Sequence, residues 1–569
     1  MKKFQPLLIK LAPWILLSAF AFICYTSQIE KSVTVDEFIY LPAGLYNLIT
    51  LDWRMDRENP PLIKCFPALT ALISKPEINI KTFNKKPNPY DLAYDFMFRN
   101  KERYRHIFQY GRCAVILLGC LCGWLLYKFA VEIYGFRGAL FALFLFVFNP
   151  NVLAHSRLTT IDMGATLTIF LSIYCFWKYL KLENGTNAII AGIALGVAQL
   201  SKFTALILYP IFIIIFVVFK MKKRHGELTK PETSLTKSVA LLIAILIVSL
   251  LIINAGYLFS GSFIPMNEFT FSSGPMKLLS SLCWGILPVP LPSDHILGFD
   301  TLLAFAEGNH PFYVSYLMGE HSLSGWWYYY FIAFFVKNPL VLSIIVILTI
   351  YVWVKKKADR PSFETRLCIW IPIIGFFTYF SFFTHIPIGI RWLLPIFPLL
   401  FLAAGYLFKT RLMRGKWASL FTTLMIIGYL TPAIFVFPNY LSYFNLAAGG
   451  SSKGHRWLID SNLDWGQDLP GLKKYMEQKG IKKINLGYFG RVDPKIYGID
   501  YTIANREADE GISAISINFL VGRPYYLLNE KSKELSYIDL NHFENYRSLK
   551  PQDVIGHTIY IFSLGDDGI

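Results

Sequence analysis

Two adjacent carboxylates, Asp36 and Glu37, stand in the stretch VDEFIYLPAGL directly after the first long apolar run of the chain. A hydroxyl is a weak nucleophile, and a carboxylate within hydrogen-bond reach can take its proton as it attacks. TVDE (Thr34 to Glu37) also fits a capping box, in which Glu37 reaches back to the residue that starts a helix. The box does not use Asp36, which near the positive end of that helix stays ionised and free to accept a proton. Pro42 limits how far the helix continues undisturbed.

Further charges punctuate the apolar chain. RMDRENPPL carries Glu58 ahead of a Pro-Pro turn that fixes an extended entry to a short surface helix, and ENPPL reads mainly as structural. In HSRLTTID, Thr159 or Thr160 can cap a helix whose first turn holds Asp162, and Arg157 or His155 can either pair with a carboxylate or hold a phosphate. Lys202 closes GIALGVAQLSK and Arg391 opens GIRWLLPIFPLL. Either cation can snorkel to headgroups, and the two together suit the phosphate of a lipid carrier. With His385, these charges gather near the outward ends of apolar runs, whereas a transporter more often sets them near the midplane.

The elements that must position these groups are membrane helices. A chain of 569 residues with 54% hydrophobic and 16% charged residues is too apolar for a soluble domain of this length. The formal charge of +17 resides in basic clusters between apolar runs (Lys2 and Lys3, Lys220 to Lys230, Lys355 to Arg360, Lys409 to Lys416), so it describes topology and implies no nucleic acid. Counting runs of bilayer length gives about 11 spans, among them Gly138 to Ala154, Ala188 to Lys202 and Trp326 to Val354, with a cytoplasmic N-terminus and long outer loops at 28–106 and 260–325. After Pro438 charges of both signs appear regularly, and β-like runs such as KINLGYFG and AISINFLVG alternate with helical stretches. The expectation is a polytopic α-helical membrane protein, domain 1–438, with a small α/β extracytoplasmic domain, 439–569, in the cell membrane. In that domain SNLDWGQDLPGL offers Asp464 and Asp468 as acceptor-binding groups or as plain caps.

Most of the eight cysteines lie in apolar runs and read as small hydrophobes, while Cys65 and Cys283 fall in outer loops and could pair. Glu307, His310, Glu320 and His321 in the second outer loop fit no strong metal spacing, so no metal site or cofactor is expected. Coordination of a divalent metal assembled from distant loops stays open.

In their order, Asp-Glu after the first span, Pro-Pro-Leu in the same loop, Arg and Asp between later spans, and Arg-Trp-Leu-Leu-Pro before a late span resemble the polyprenyl-phosphate-sugar-dependent glycosyltransferases of the GT-C fold. These include protein O-mannosyltransferases and lipid A aminoarabinose transferases. The resemblance covers roughly residues 1 to 440. It implies inverting transfer from a lipid-linked monophosphate sugar at the outer leaflet to a protein, lipid or polysaccharide acceptor, with Asp36 first and Glu37 second as base and Arg391 with Trp392 near the carrier phosphate. Asn59 stands where the family usually has histidine, and Trp392 where tyrosine is common. A flippase or transporter of lipid-linked glycans, and a membrane-anchored binding protein, are the readings from other classes.

Overall fold

The computed structural model describes residues 5–224, 234–282, 285–307, 314–355, 360–384, 387–410, 415–507, 511–528 and 535–564. Among them, eight helices are long and apolar enough to cross a bilayer: Lys10–Ile29, Tyr104–Tyr134, Asp162–Lys181, Phe203–Lys222, Leu235–Gly256, Phe363–Phe382, Ile390–Phe408 and Lys416–Phe435. The helices Tyr329–Lys337 and Leu340–Lys355, bent by 115° at a break that holds Pro339, make a ninth if taken as one span. In place of the expected spans 138–154 and 188–202 stand the shorter, overlapping helices Phe136–Val147 and Gly185–Gln199. The first is short because Pro150 forces a restart: Asn149 accepts bonds from the Asn151 and Val152 amides and caps a separate helix, Pro150–His155.

Close helix packing rests on small residues, as it must where apolar neighbours and apolar solvent are alike. A Cβ on Gly192 or Gly196 would come within 2.7 or 2.5 Å of Val248 or Ile252 in the helix Leu235–Gly256. Trp14, Phe22, Ile247, Ile347 and Trp417 are exposed on the outer faces, as contact with lipid requires.

The stretch between the first two spans is folded. Its helix Val35–Thr50 packs so tightly on Pro61–Ala71 that a Cβ at Gly44 would sit 2.1 Å from the Lys64 carbonyl oxygen. Arg57 bonds Asp294 at 2.6 Å, tying this stretch to the helix Ser293–Ala306.

After Pro438, short 3-10 turns lead to the helix Leu469–Lys479 and a five-stranded sheet ordered Tyr501–Ile503, Ile484–Gly487, Gly511–Ser516, Ile559–Leu564, Asp553–Ile555. The first three strands are parallel, with Asn485 opposite both Thr502 and Ser513, and the last two pairings are antiparallel. One side of the sheet shares a core with the helix Val35–Thr50, where Phe38, Leu41 and Leu45 join Leu469, Leu472, Ile484 and Leu486. The C-terminal α/β part is therefore seated on the segment that carries Asp36.

Candidate active site

Four elements converge on one charged centre. Asp36 lies in the first turn of Val35–Thr50, and Asp162 opens Asp162–Lys181. Lys202 is the N-cap residue of the 3-10 turn Phe203–Ile207, and Arg391 lies in the 3-10 stretch Ile390–Ile396. Arg391 Nη1 donates to Asp36 Oδ2 at 2.6 Å and lies 3.6 Å from Asp162 Oδ2, while Lys202 Nζ donates to Asp162 Oδ1 at 2.6 Å. The Asp162 side chain is fully buried, whereas those of Asp36 and Lys202 are 19% and 15% exposed, so the network has a floor and an open side. Tyr40 donates to Asp36 at 3.3 Å, and Lys202 lies over the Trp392 ring. The Nε of Arg391 is buried with no hydrogen-bond partner, leaving a donor for an incoming oxyanion.

Although Asp36 is partly exposed, burial pushes its carboxyl up against the opposing pull of Arg391. Burial, helped by Asp56, raises Glu58 to about 7, and the Asp36 charge adds to that rise. His155 is held down to about 3 by burial, beyond the opposing pull of Asp162, so its imidazole is neutral here. Its ring meets Trp465 edge to face, 6.3 Å between centroids.

Glu37 is different in kind from its neighbour. Its two oxygens accept from Arg112 Nε and Nη2, from the amides of Thr34 and Thr159 and from both threonine hydroxyls, at 2.6 to 3.2 Å. Burial opposes the ionised form, but Arg112 and these donors prevail and hold the carboxyl low. With no oxygen left for an acceptor hydroxyl, Glu37 is a junction between Val35–Thr50, the span Tyr104–Tyr134 and the turn before Asp162, and the expected role as a second base gives way to that one.

Three other expectations are also corrected by the geometry. Arg157 donates to the Ser27 carbonyl at 2.7 Å and faces the Tyr440 ring, and burial brings it down to about 10. Its partners are apart from the Asp162 carboxylate that Lys202 and Arg391 share. Asp464 is buried, bonded to Ser516 Oγ and the Gly466 amide. Asp468, also buried, pairs with Lys31 and accepts from Thr558 at 2.7 Å, so neither acid is open to an acceptor. His385, His310 and Cys283 lie outside the described residues. Among the described residues no cluster of three or more His, Cys, Asp and Glu side chains is placed to hold a metal.

Among the buried cations that sequence reasoning missed are Arg112 and Lys337. Each is a charge within an apolar run, and a charge inside a span was signal enough to single it out. It also missed Trp465, whose ring lies 4.5 Å from the Arg391 guanidinium.

Together the spans and the seated sheet define a polytopic helical membrane protein with a charged centre where its helices meet a small C-terminal α/β part. Residues 108–252 match the family described as dolichyl-phosphate-mannose-protein mannosyltransferase, and over that stretch the resemblance read from the sequence holds. No curated protein sequence matches the chain significantly. Among solved structures, apo ArnT from Cupriavidus metallidurans is 13% identical at a TM-score of 0.49, covering 90% of this chain and 95% of that one. The oligosaccharyltransferase AglB from Archaeoglobus fulgidus is 11% identical at 0.48, covering 96% and 76%. The protein O-mannosyltransferase complex Pmt1-Pmt2 of S. cerevisiae is 19% identical at 0.31, covering 44% and 33%. At these values none of the three decides a donor, an acceptor or a reaction for this chain.

Proposed function

We propose that the protein transfers a sugar from a polyprenyl-phosphate carrier to a hydroxyl of a protein, lipid or polysaccharide acceptor on the extracytoplasmic side, with Asp36 as general base. The observation that carries this reading is the network in which Arg391 bridges Asp36 and Asp162 while Lys202 holds Asp162 from the other side. In it a candidate base and two candidate phosphate ligands share one opening.

The chemistry follows from the leaving group. As the acceptor oxygen bonds to the anomeric carbon, the bond from that carbon to the phosphate oxygen breaks and the electron pair leaves with the phosphate. The departing polyprenyl phosphate is already an anion, so it needs cations rather than a general acid. At 4 Å a unit charge pair is worth about 4 kcal/mol in a partly buried site, against about 1 kcal/mol in water, so placing Arg391 and Lys202 below the surface strengthens the clamp. A phosphate at Arg391 competes with Asp36 for the guanidinium and releases the carboxylate to accept the acceptor's proton. A carboxylate pair of the glycosidase kind is not needed for this displacement.

The test is release of free polyprenyl phosphate from a panel of lipid-linked sugars by the purified protein, wild type against Asp36→Asn. Release with one donor, reduced about 10²- to 10⁴-fold in the variant, supports the reading and names the sugar. Undiminished release by Asp36→Asn would remove Asp36 as base, and no release from any donor, with envelope extract supplied as acceptor, would favour lipid movement over transfer.

A further inference from the structure

One loop of the soluble domain, Ser461 to Asp468, touches both halves of the charged centre. Toward Arg391, Asn462 Oδ1 accepts from the Ile390 amide at 2.9 Å and Ser461 Oγ donates to the Ile388 carbonyl. Gly389, between those two contacts, has φ +134°, and a Cβ there would lie 2.7 Å from Ser461 Oγ. Toward Asp36, the Val35 amide donates to the Trp465 carbonyl at 3.1 Å, and Ser32 bonds the carbonyls of Gln467 and Gly466 at 2.8 and 2.7 Å. Lys31 pairs with Asp468, and Lys337 donates to the Asn462 carbonyl at 2.6 Å.

The loop is itself fixed. Asn518 donates to the Asp464 carbonyl at 2.8 Å, Ser516 donates to the Asp464 carboxylate at 2.6 Å, and the Trp465 amide donates to Gln467 Oε1 at 2.7 Å. Trp465 is 1% exposed, so its ring has no freedom to leave Arg391. A guanidinium lying over an indole face is confined to that plane, which leaves its N–H edge to address Asp36 on one side and an oxyanion at the unpartnered Nε on another.

We infer that this loop is the positioning element of the phosphate site, with Trp465 the residue through which the soluble domain orients Arg391. The inference rests on the transferase reading above. It makes the domain after Pro438 part of the active centre, and Trp465 a positioning residue that does not itself touch the reacting atoms.

The test uses the full chain in detergent with a donor that the wild type turns over, comparing Trp465→Met, Trp465→Phe, Arg391→Lys and the double variant Trp465→Met with Arg391→Lys. Trp465→Met is expected to lower kcat/KM for the donor about 10- to 30-fold, measured at a temperature where the variant stays folded because the smaller side chain leaves a cavity, and Trp465→Phe to restore most of it. In the Arg391→Lys background the same Trp465→Met change is expected to cost less than about threefold, because the plane it maintained is gone. Should Trp465→Met fail to fold, Trp465→Phe carries the test, with a loss of roughly two- to threefold that vanishes beside Arg391→Lys. Wild-type kinetics in Trp465→Met, or equal losses in both backgrounds, would overturn the inference while the transferase reading stands. A wild type that releases no polyprenyl phosphate from any donor would overturn both.

Discussion

Arg391 Nη1 lies 2.6 Å from Asp36 Oδ2, although 355 residues separate the two in the chain. The guanidinium also reaches toward Asp162, so one side chain sets the spacing between a carboxylate at the opening and a carboxylate at the floor. A lysine at 391 would keep the charge but lose the fork, which addresses two oxygens in one plane. Arg391→Lys is expected to lower kcat/KM for the lipid-linked donor about 10- to 100-fold, and Arg391→Gln to lower it further, measured as polyprenyl phosphate release.

Asp36 and Glu37 are adjacent in sequence and opposite in expected consequence. Glu37→Gln leaves the buried Arg112 without its counter-charge, and breaking a buried pair this way costs about 3 to 5 kcal/mol. A marked fall in melting temperature in detergent is the expected result. Asp36→Asn, at a partly exposed position, is expected to melt close to wild type while losing transfer. Equal melting temperatures for Glu37→Gln and wild type would remove the junction role.

The C-terminal α/β part has its own pH signature. Burial raises the Asp464 carboxyl to about 8 despite its bonds from Ser516 and Gly466. The folded state therefore binds this proton more tightly than the unfolded chain does. Stability from the group is fully present below the ordinary carboxylate value near 4 and is lost as pH rises through about 8. Melting temperature measured between pH 5 and 8.5 is expected to decline more steeply for wild type than for Asp464→Asn. Parallel curves would refute this.

Gly389 joins the Arg391 segment to the loop at Ser461. An alanine there meets both a positive φ that side chains resist and a 2.7 Å contact with Ser461 Oγ. Strain of this kind costs about 1 to 3 kcal/mol. Gly389→Ala is expected to reduce polyprenyl phosphate release roughly tenfold by shifting Arg391, with donor KM as the parameter that moves first. Unchanged release would show that the segment absorbs the displacement.

The spans were legible because hydropathy over bilayer lengths is a strong signal, and two came out short because Pro150 and the polar end of GIALGVAQLSK end helices that hydropathy alone runs on. Asp36, Asp162, Lys202 and Arg391 were legible as charges beside apolar runs. Their mutual contacts were not, since nothing local links residue 36 to residue 391. Glu37 was read correctly as part of a box, but its partner Arg112 lies 75 residues away inside a span. Asp464 and Asp468 misled because acid spacing in a loop carries no information on burial. Trp465 stayed hidden for a related reason: an irregular loop has no period from which to infer which way a ring points.

The strap from Ser461 to Asp468 also bears on timing. Asp36 and Arg391 are both synthesised and inserted before this loop leaves the ribosome. A chain halted or clipped ahead of Ser461 contains Asp36 and Arg391 but lacks the loop that contacts both of their segments. On the transferase reading proposed above, turnover waits until residues 461–468 have been made, so a chain that stops short of them leaves the carrier lipid unconsumed.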